Sequence, residues 1–170
     1  MLTQIKPMEK SKAEIEQSIL EFLKEHGENC FTCALATCFE NEPRNTPVDA
    51  RNDGLNMYFV ADPGGKLENI RRNPRVCLAV FIPVGKGYMT NARGLQMWGK
   101  AQIITKEADP EEFEKGFLTI RLDEISRSLN KQPFPEEAKQ NLTIVKVVPR
   151  KISYFISMGE KPAKYIWQAD

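Results

Sequence analysis

The sequence predicts a mainly β (α+β) fold: an antiparallel sheet of six to seven strands closed into a barrel, with flanking helices. Three observations predict it. Strand-like runs follow one another with turn residues between neighbours. Helical stretches are too few to alternate with strands, as a doubly wound fold requires. The chain has 170 residues, enough for one core, which at this size buries roughly 70% of the unfolded surface. It therefore reads as one domain spanning 1–170.

The elements follow in order. Ser11 and Glu14 form a capping-box pattern, S-x-x-E. Ile15, Ile19, Phe22 and Leu23 recur at helical spacing, and Gly27 stops the run. His26, the only histidine, falls in the last turn, where a partial positive charge suits the helix dipole. Strands follow over Phe31 to Phe39 and Arg44 to Arg51. Asp53-Gly54 marks a hairpin turn, and Leu55 to Ala61 returns with Leu55, Met57 and Phe59 on one face. After a helix of about two turns, Pro74 prevents continuation, and Val76 to Ile82 runs apolar on both faces like a central strand. Leu95 to Thr105 alternates. Asp109-Pro110-Glu111-Glu112 supplies an N-cap, a first-position proline and first-turn acids. Leu118, Leu122, Ile125 and Leu129 then form one apolar stripe, and "NKQPFPEE" ends that helix. Two last strands, Asn141 to Val148 and Lys151 to Ser157, are split by Pro149.

Composition narrows the function classes. A net charge of +1 makes no electrostatic case for nucleic acid or an anionic membrane. The longest apolar run, Val76 to Ile82, falls far short of the roughly 20 residues a membrane helix needs. The polar N-terminus lacks a signal-peptide core, so a cytoplasmic protein is expected, with four free thiols at positions 30, 33, 38 and 77. Cys30 and Cys33 are formally a C-x-x-C. They open a strand, where side chains three apart point to opposite faces, so they read as packing. No second pair completes a zinc set, and no metal is expected.

One stretch carries chemistry: Asp62-Pro63-Gly64-Gly65-Lys66, at the mouth of the short helix. A first-turn lysine opposes the helix dipole by about 0.3–1 kcal/mol unless an anion is bound there. Glycines let backbone amides approach an oxyanion closely, which describes a phosphate seat. Gly-Gly before a helix is equally a common turn. Asp49 and Arg51 share a strand face and read either as a surface ion pair or as site residues. Trp98 reads as a barrel core residue or as a ligand contact.

The stretches "NTPVDARNDGLNMYFVADPGGKLENIRRNPRVCLAVF" and "GLQMWGKAQII", within residues 30–106, resemble the pyridoxamine 5′-phosphate oxidase-like, FMN-binding split β-barrel family. The resemblance lies in the order of the parts more than in any one of them. It implies FMN held at the interface of a homodimer, each barrel supplying part of two sites. Thr46, Pro47, Val48, Asp49, Ala50 and Arg51 would flank the flavin ring and ribityl chain, with Arg51 reaching the phosphate. Phe59 and Val60 would line the ring, and Gly64, Gly65 and Lys66 would seat the phosphate. The chain also departs from the family. Gly64 and Gly65 stand where relatives place arginine and serine. Gly94 stands where a glutamine contacts the cofactor, leaving Gln96 or Trp98 as substitutes. The arginine–histidine pair that grips pyridoxine phosphate has no counterpart, which argues against that oxidase activity. Tyr165 and Trp167 either staple the tail to the barrel or cap a flavin from the dimer mate. The resemblance implies an FMN-dependent oxidoreductase acting at flavin N5 on a small molecule, with NAD(P)H as donor and no catalytic side chain named. The alternatives are a non-catalytic module that binds, stores or senses flavin or haem, and a deazaflavin protein using Arg44, Lys86 and Arg93.

Overall fold

The computed structural model describes residues 10–29, 32–81, 92–156 and 162–170. Helix α1 (Lys12–Asn29) precedes β1 (Thr32–Phe39), β2 (Glu42–Asp53) and β3 (Asn56–Val60). Helix α2 (Gly65–Arg72), β4 (Arg75–Phe81) and β5 (Arg93–Thr105) follow. Three helices, α3 (Pro110–Ile120), α4 (Leu122–Asn130) and α5 (Glu136–Gln140), lead to β6 (Thr143–Ile156) and β7 (Ala163–Gln168). The sheet order is β3-β2-β1-β4-β5-β6-β7, every pair antiparallel. Pairing of β3 with β6 closes six strands into a barrel and leaves β7 outside the ring. The expected mainly β barrel is what forms. Strand ends expected at Phe31, Ile82 and Ser157 lie outside the described residues, as does Cys30 of the C-x-x-C; Cys33 is buried.

Local chemistry explains most boundaries. The capping box closes: the Ser11 amide donates to Glu14 Oε2 at 2.8 Å, and the Glu14 amide donates to Ser11 Oγ at 3.3 Å. Gly27 does not end α1, which runs on to Asn29. A helical glycine costs only about 0.5–1 kcal/mol, and Arg51 Nη1 donates to the Gly27 carbonyl at 2.8 Å, tying down the last turn. The β1–β2 loop is Glu40-Asn41, both left-handed at φ 51 and 63, as a two-residue type I′ turn demands. In the next hairpin only Gly54 needs a positive φ, 55, because Asp53 still pairs with Asn56 as a strand residue.

Two expected elements are corrected. The long apolar helix breaks at Arg121, left-handed at φ 64, into α3 and α4. Phe113, Phe117 and Ile120, not Leu118, pack with Tyr58, Ile104 and Ile144 in a small second core. Leu118 and Leu129 are 70% and 74% exposed. The chain after α4 also forms the short helix α5. Pro149, for its part, does not split the last strand. The register passes from Trp98 opposite Lys151 to Gly99 opposite Pro149, so Arg150 is the extra residue of a β-bulge. A bulge accommodates proline's missing N–H inside a continuous ladder.

His26 is corrected as well. It is 1% exposed, and a ring nitrogen lies 3.0 Å from the Thr32 carbonyl. Burial pulls its pKa below the usual 6.5, so the ring sits neutral and carries no charge to the helix dipole. A group with a depressed imidazole pKa contributes stability that is present above the unfolded value and lost as pH falls through it. Urea unfolding midpoints are therefore expected to drop between about pH 7.5 and 5.5. His26→Gln should start lower and stay flat across that window. A wild-type midpoint that does not move there would contradict the assignment.

The tail is a strand. Tyr165 and Trp167 are buried against their own barrel, Trp167 Nε1 donating to Glu16 Oε2 at 2.8 Å. Stapling is thus what these aromatics do. Among the described residues no helix is long and apolar enough to cross a membrane.

Candidate functional site

Residues 62–66 carry the chain from β3 into α2. Gly64 caps the helix at φ 148 and ψ −172, a conformation that only glycine enters cheaply. No side chain caps the helix. The Gly64 carbonyl accepts the amides of Leu67 at 3.0 Å and Glu68 at 3.1 Å, while the earlier amides of the turn have no acceptor within the helix. Against this terminus lies the Arg44 guanidinium: a Cβ on Gly65 would come within 2.7 Å of an Arg44 Nη. Glycine at 65 is what admits that close approach. The Arg44 guanidinium thus lies against the first turn of the helix in which Lys66 stands, and among the described residues no ion pair with an acid involves Arg44 or Lys66.

A cavity of about 520 Å³ opens beside this spot, and its lining brings together Pro47, Val48, Asp49, Arg51, Val60 and Lys66 from the expected set. It adds Asp62, Ile120, Leu122, Ile125 and Leu129. Thr46 is half-buried on the same strand, while Ala50 and Phe59 are fully buried and pair across β2 and β3. Asp49 Oδ1 accepts the Thr32 hydroxyl at 2.9 Å. Burial first, then neighbouring Arg121, holds Arg51 below its ordinary pKa, with Glu124 and Asp49 opposing. Arg51 donates toward α1 and the Gly27 carbonyl rather than toward α2. Arg44, which the expected site did not include, is therefore the cation that lies against the first turn of α2. It shares the alternation of Thr46, Val48 and Ala50 at the exposed start of β2.

Gln96 and Trp98 do not line this cavity. Pro47 pairs with Ala34, Ala34 with Ala79 and Ala79 with Gln96, so Gln96 lies three strands away, roughly 14 Å. Trp98 is not a core residue: it is 38% exposed on the outer face of β5, with Lys151 Nζ 5.3 Å from its ring centroid. Arg93 pairs with Glu25, away from the site, and Lys86 lies outside the described residues.

A sequence model of pyridoxamine 5′-phosphate oxidase matches residues 15–155. The chain belongs to the pyridoxamine 5′-phosphate oxidase family. No curated protein sequence matches it. Among solved structures, a Nostoc punctiforme protein described as pyridoxamine 5′-phosphate oxidase-related and FMN binding is similar in fold. It shares 13% identity at a TM-score of 0.66, with 91% of this chain and 90% of that one covered. A Mesorhizobium loti FAD-binding protein shares 19% identity at 0.59, covering 79% and 91%. A Listeria innocua protein named for pyridoxamine 5′-phosphate oxidase shares 24% at 0.59, covering 82% and 97%.

This member of the pyridoxamine 5′-phosphate oxidase family also carries an uncovered apolar face. Phe81, Trp98, Phe155 and Ile166 are 45%, 38%, 39% and 42% exposed on β4, β5, β6 and β7. Gly94 belongs to it, because a Cβ there would come within 2.9 Å of the Phe155 ring. That packing accounts for glycine at this position.

Proposed function

We propose that the chain is an FMN-dependent oxidoreductase of small molecules, working as a cytoplasmic homodimer with NAD(P)H as electron donor. The observation that carries this reading is the Arg44 guanidinium against the uncapped first turn of α2, next to Lys66, which lines the cavity. A terminal phosphomonoester gathers its dianionic charge on the three oxygens of one phosphorus, which suits a compact set of donors better than a diphosphate that spreads two charges over two phosphorus atoms. The names of the Nostoc and Mesorhizobium relatives also support a flavin. In this reading Gly64, Gly65, Lys66 and Arg44 hold the phosphate. Thr46, Pro47, Val48, Asp49, Ala50 and Arg51 present main chain and side chain to the ring. Phe59 packs behind it, and Val60 lines its edge. Bound FMN would supply two-electron chemistry at N5. The protein's part is to position it and to exclude water.

The apolar outer face supports the homodimer. Monomers seldom leave several large apolar side chains exposed on one face of a sheet, and a self-complementary patch is what a two-fold interface requires. Gln96 and Trp98 lie on that face, from which they would reach the partner's flavin rather than their own. Haem is disfavoured because the only histidine is buried in α1.

Purified protein is expected to show flavin bands near 375 and 450 nm, with chromatography of the released cofactor giving FMN rather than FAD. Anaerobic NADH or NADPH should bleach them. A colourless chain that takes up no added FMN overturns the reading, and stable colour without bleaching by either nucleotide would leave a storage module instead.

A further inference from the structure

The second wall of the cavity is uncharged. Ile120 ends α3, and Leu122, Ile125 and Leu129 of α4 line the cavity with it. Those three sit at i, i+3 and i+7, one stripe of a helix. Left-handed residues bound the helix, Arg121 at φ 64 and Lys131 at φ 60. Asp123 Oδ1 accepts the Phe134 amide at 2.9 Å, and Ser126 is buried, so the helix is fixed in this attitude. The break at Arg121 leaves Leu118 pointing to solvent and turns the next stretch of the stripe into the cavity. Pro47, Val48 and Val60 continue the apolar lining.

Among the charged residues that line the cavity, Arg51 donates to the Gly27 carbonyl and Asp49 accepts from Thr32. Asp62 adds a carboxylate to the same lining, which repels an anion. Lys66 stands at the α2 terminus with Arg44. The side chains by which α4 lines the cavity offer a substrate no cation and no hydrogen-bond donor. We infer that this wall selects an uncharged, apolar substrate and disfavours one bearing a phosphate or carboxylate. The inference rests on the flavin reading above and names the substrate class of that same site.

The test uses the purified flavin-loaded protein and two flat nitroarenes of similar size, neutral 4-nitroacetophenone and anionic 4-nitrobenzoate. Binding is read from the perturbation of the flavin absorbance. The neutral compound should bind at least tenfold tighter. Ile125→Asp and Leu129→Asp should each weaken it about tenfold, with flavin per chain and melting temperature unchanged, while Leu129→Met stays near wild type. Equal binding of the two nitroarenes, or aspartate variants that keep wild-type affinity, overturns the inference alone. If the aspartate variants instead dissociate a dimer on gel filtration, the stripe belongs to a subunit interface and the inference falls. A chain with no flavin before any nitroarene is added overturns the cofactor reading and this inference with it.

Discussion

Lys66→Glu is expected to yield a folded chain that has lost its flavin. Glutamate in the first turn of α2 suits the helix dipole, by about 0.3–1 kcal/mol, so the fold should be as stable as before. The anion site changes in the opposite sense. A cation beside the open amides becomes a like charge against a dianion, with only Arg44 and main-chain donors left to oppose it. We expect affinity to fall roughly a hundredfold, about 2.7 kcal/mol. Flavin per chain after dialysis and the thermal midpoint by circular dichroism read the two effects separately. Undiminished flavin would remove Lys66 from the site, and loss of fold together with flavin would make its role structural.

Gly99→Ala is expected to be the most destabilising single methyl in the barrel. The added Cβ would lie 2.4 Å from the Val148 carbonyl oxygen and 3.0 Å from its carbon. These are backbone atoms of the bulged strand β6, so no side-chain rotation relieves the clash. Gly65 is the contrast, because there the obstructing atoms are the tip of Arg44. Overpacking of this kind costs about 3 kcal/mol, which for a chain of this length lowers the melting temperature by roughly 6–12 °C. A change under about 2 °C would mean that the bulge can slide, and the register between β5 and β6 would need revision.

What was legible in the sequence was local. The Ser11 box, the Asp109 cap and the glycines before α2 each act over a few residues, and each forms as read. The barrel followed from counting strands and turns. What was not legible depended on partners distant in sequence. Gly27 lies inside a helix because Arg51 reaches its carbonyl from β2. Pro149 lies inside a strand because Gly99, far back in the chain, leaves room for a bulge. Arg121 adopts a left-handed backbone with no glycine to announce it, so the stripe from Leu118 to Leu129 looked continuous. In the cavity, Asp49 and Arg51 share one face of β2, as the alternation of that strand placed them. Arg44 escaped because its importance lies in meeting Gly65 across the barrel rim, a contact no periodicity encodes.

The strand β6 pairs with β3, β5 and β7 at once, and α1 is held at its outer side by Glu16 to Trp167 and Lys12 to Asp170. A ribosome must therefore synthesise the chain through β6 before the ring can shut. Until then β3 presents a raw edge, and the outer side of α1 lacks its partners on β7 and beyond. Late closure of this sort favours slow, cooperative maturation. It also makes α1 and β7 guardians of each other: trimming residues 163–170 should loosen α1 before it disturbs the ring.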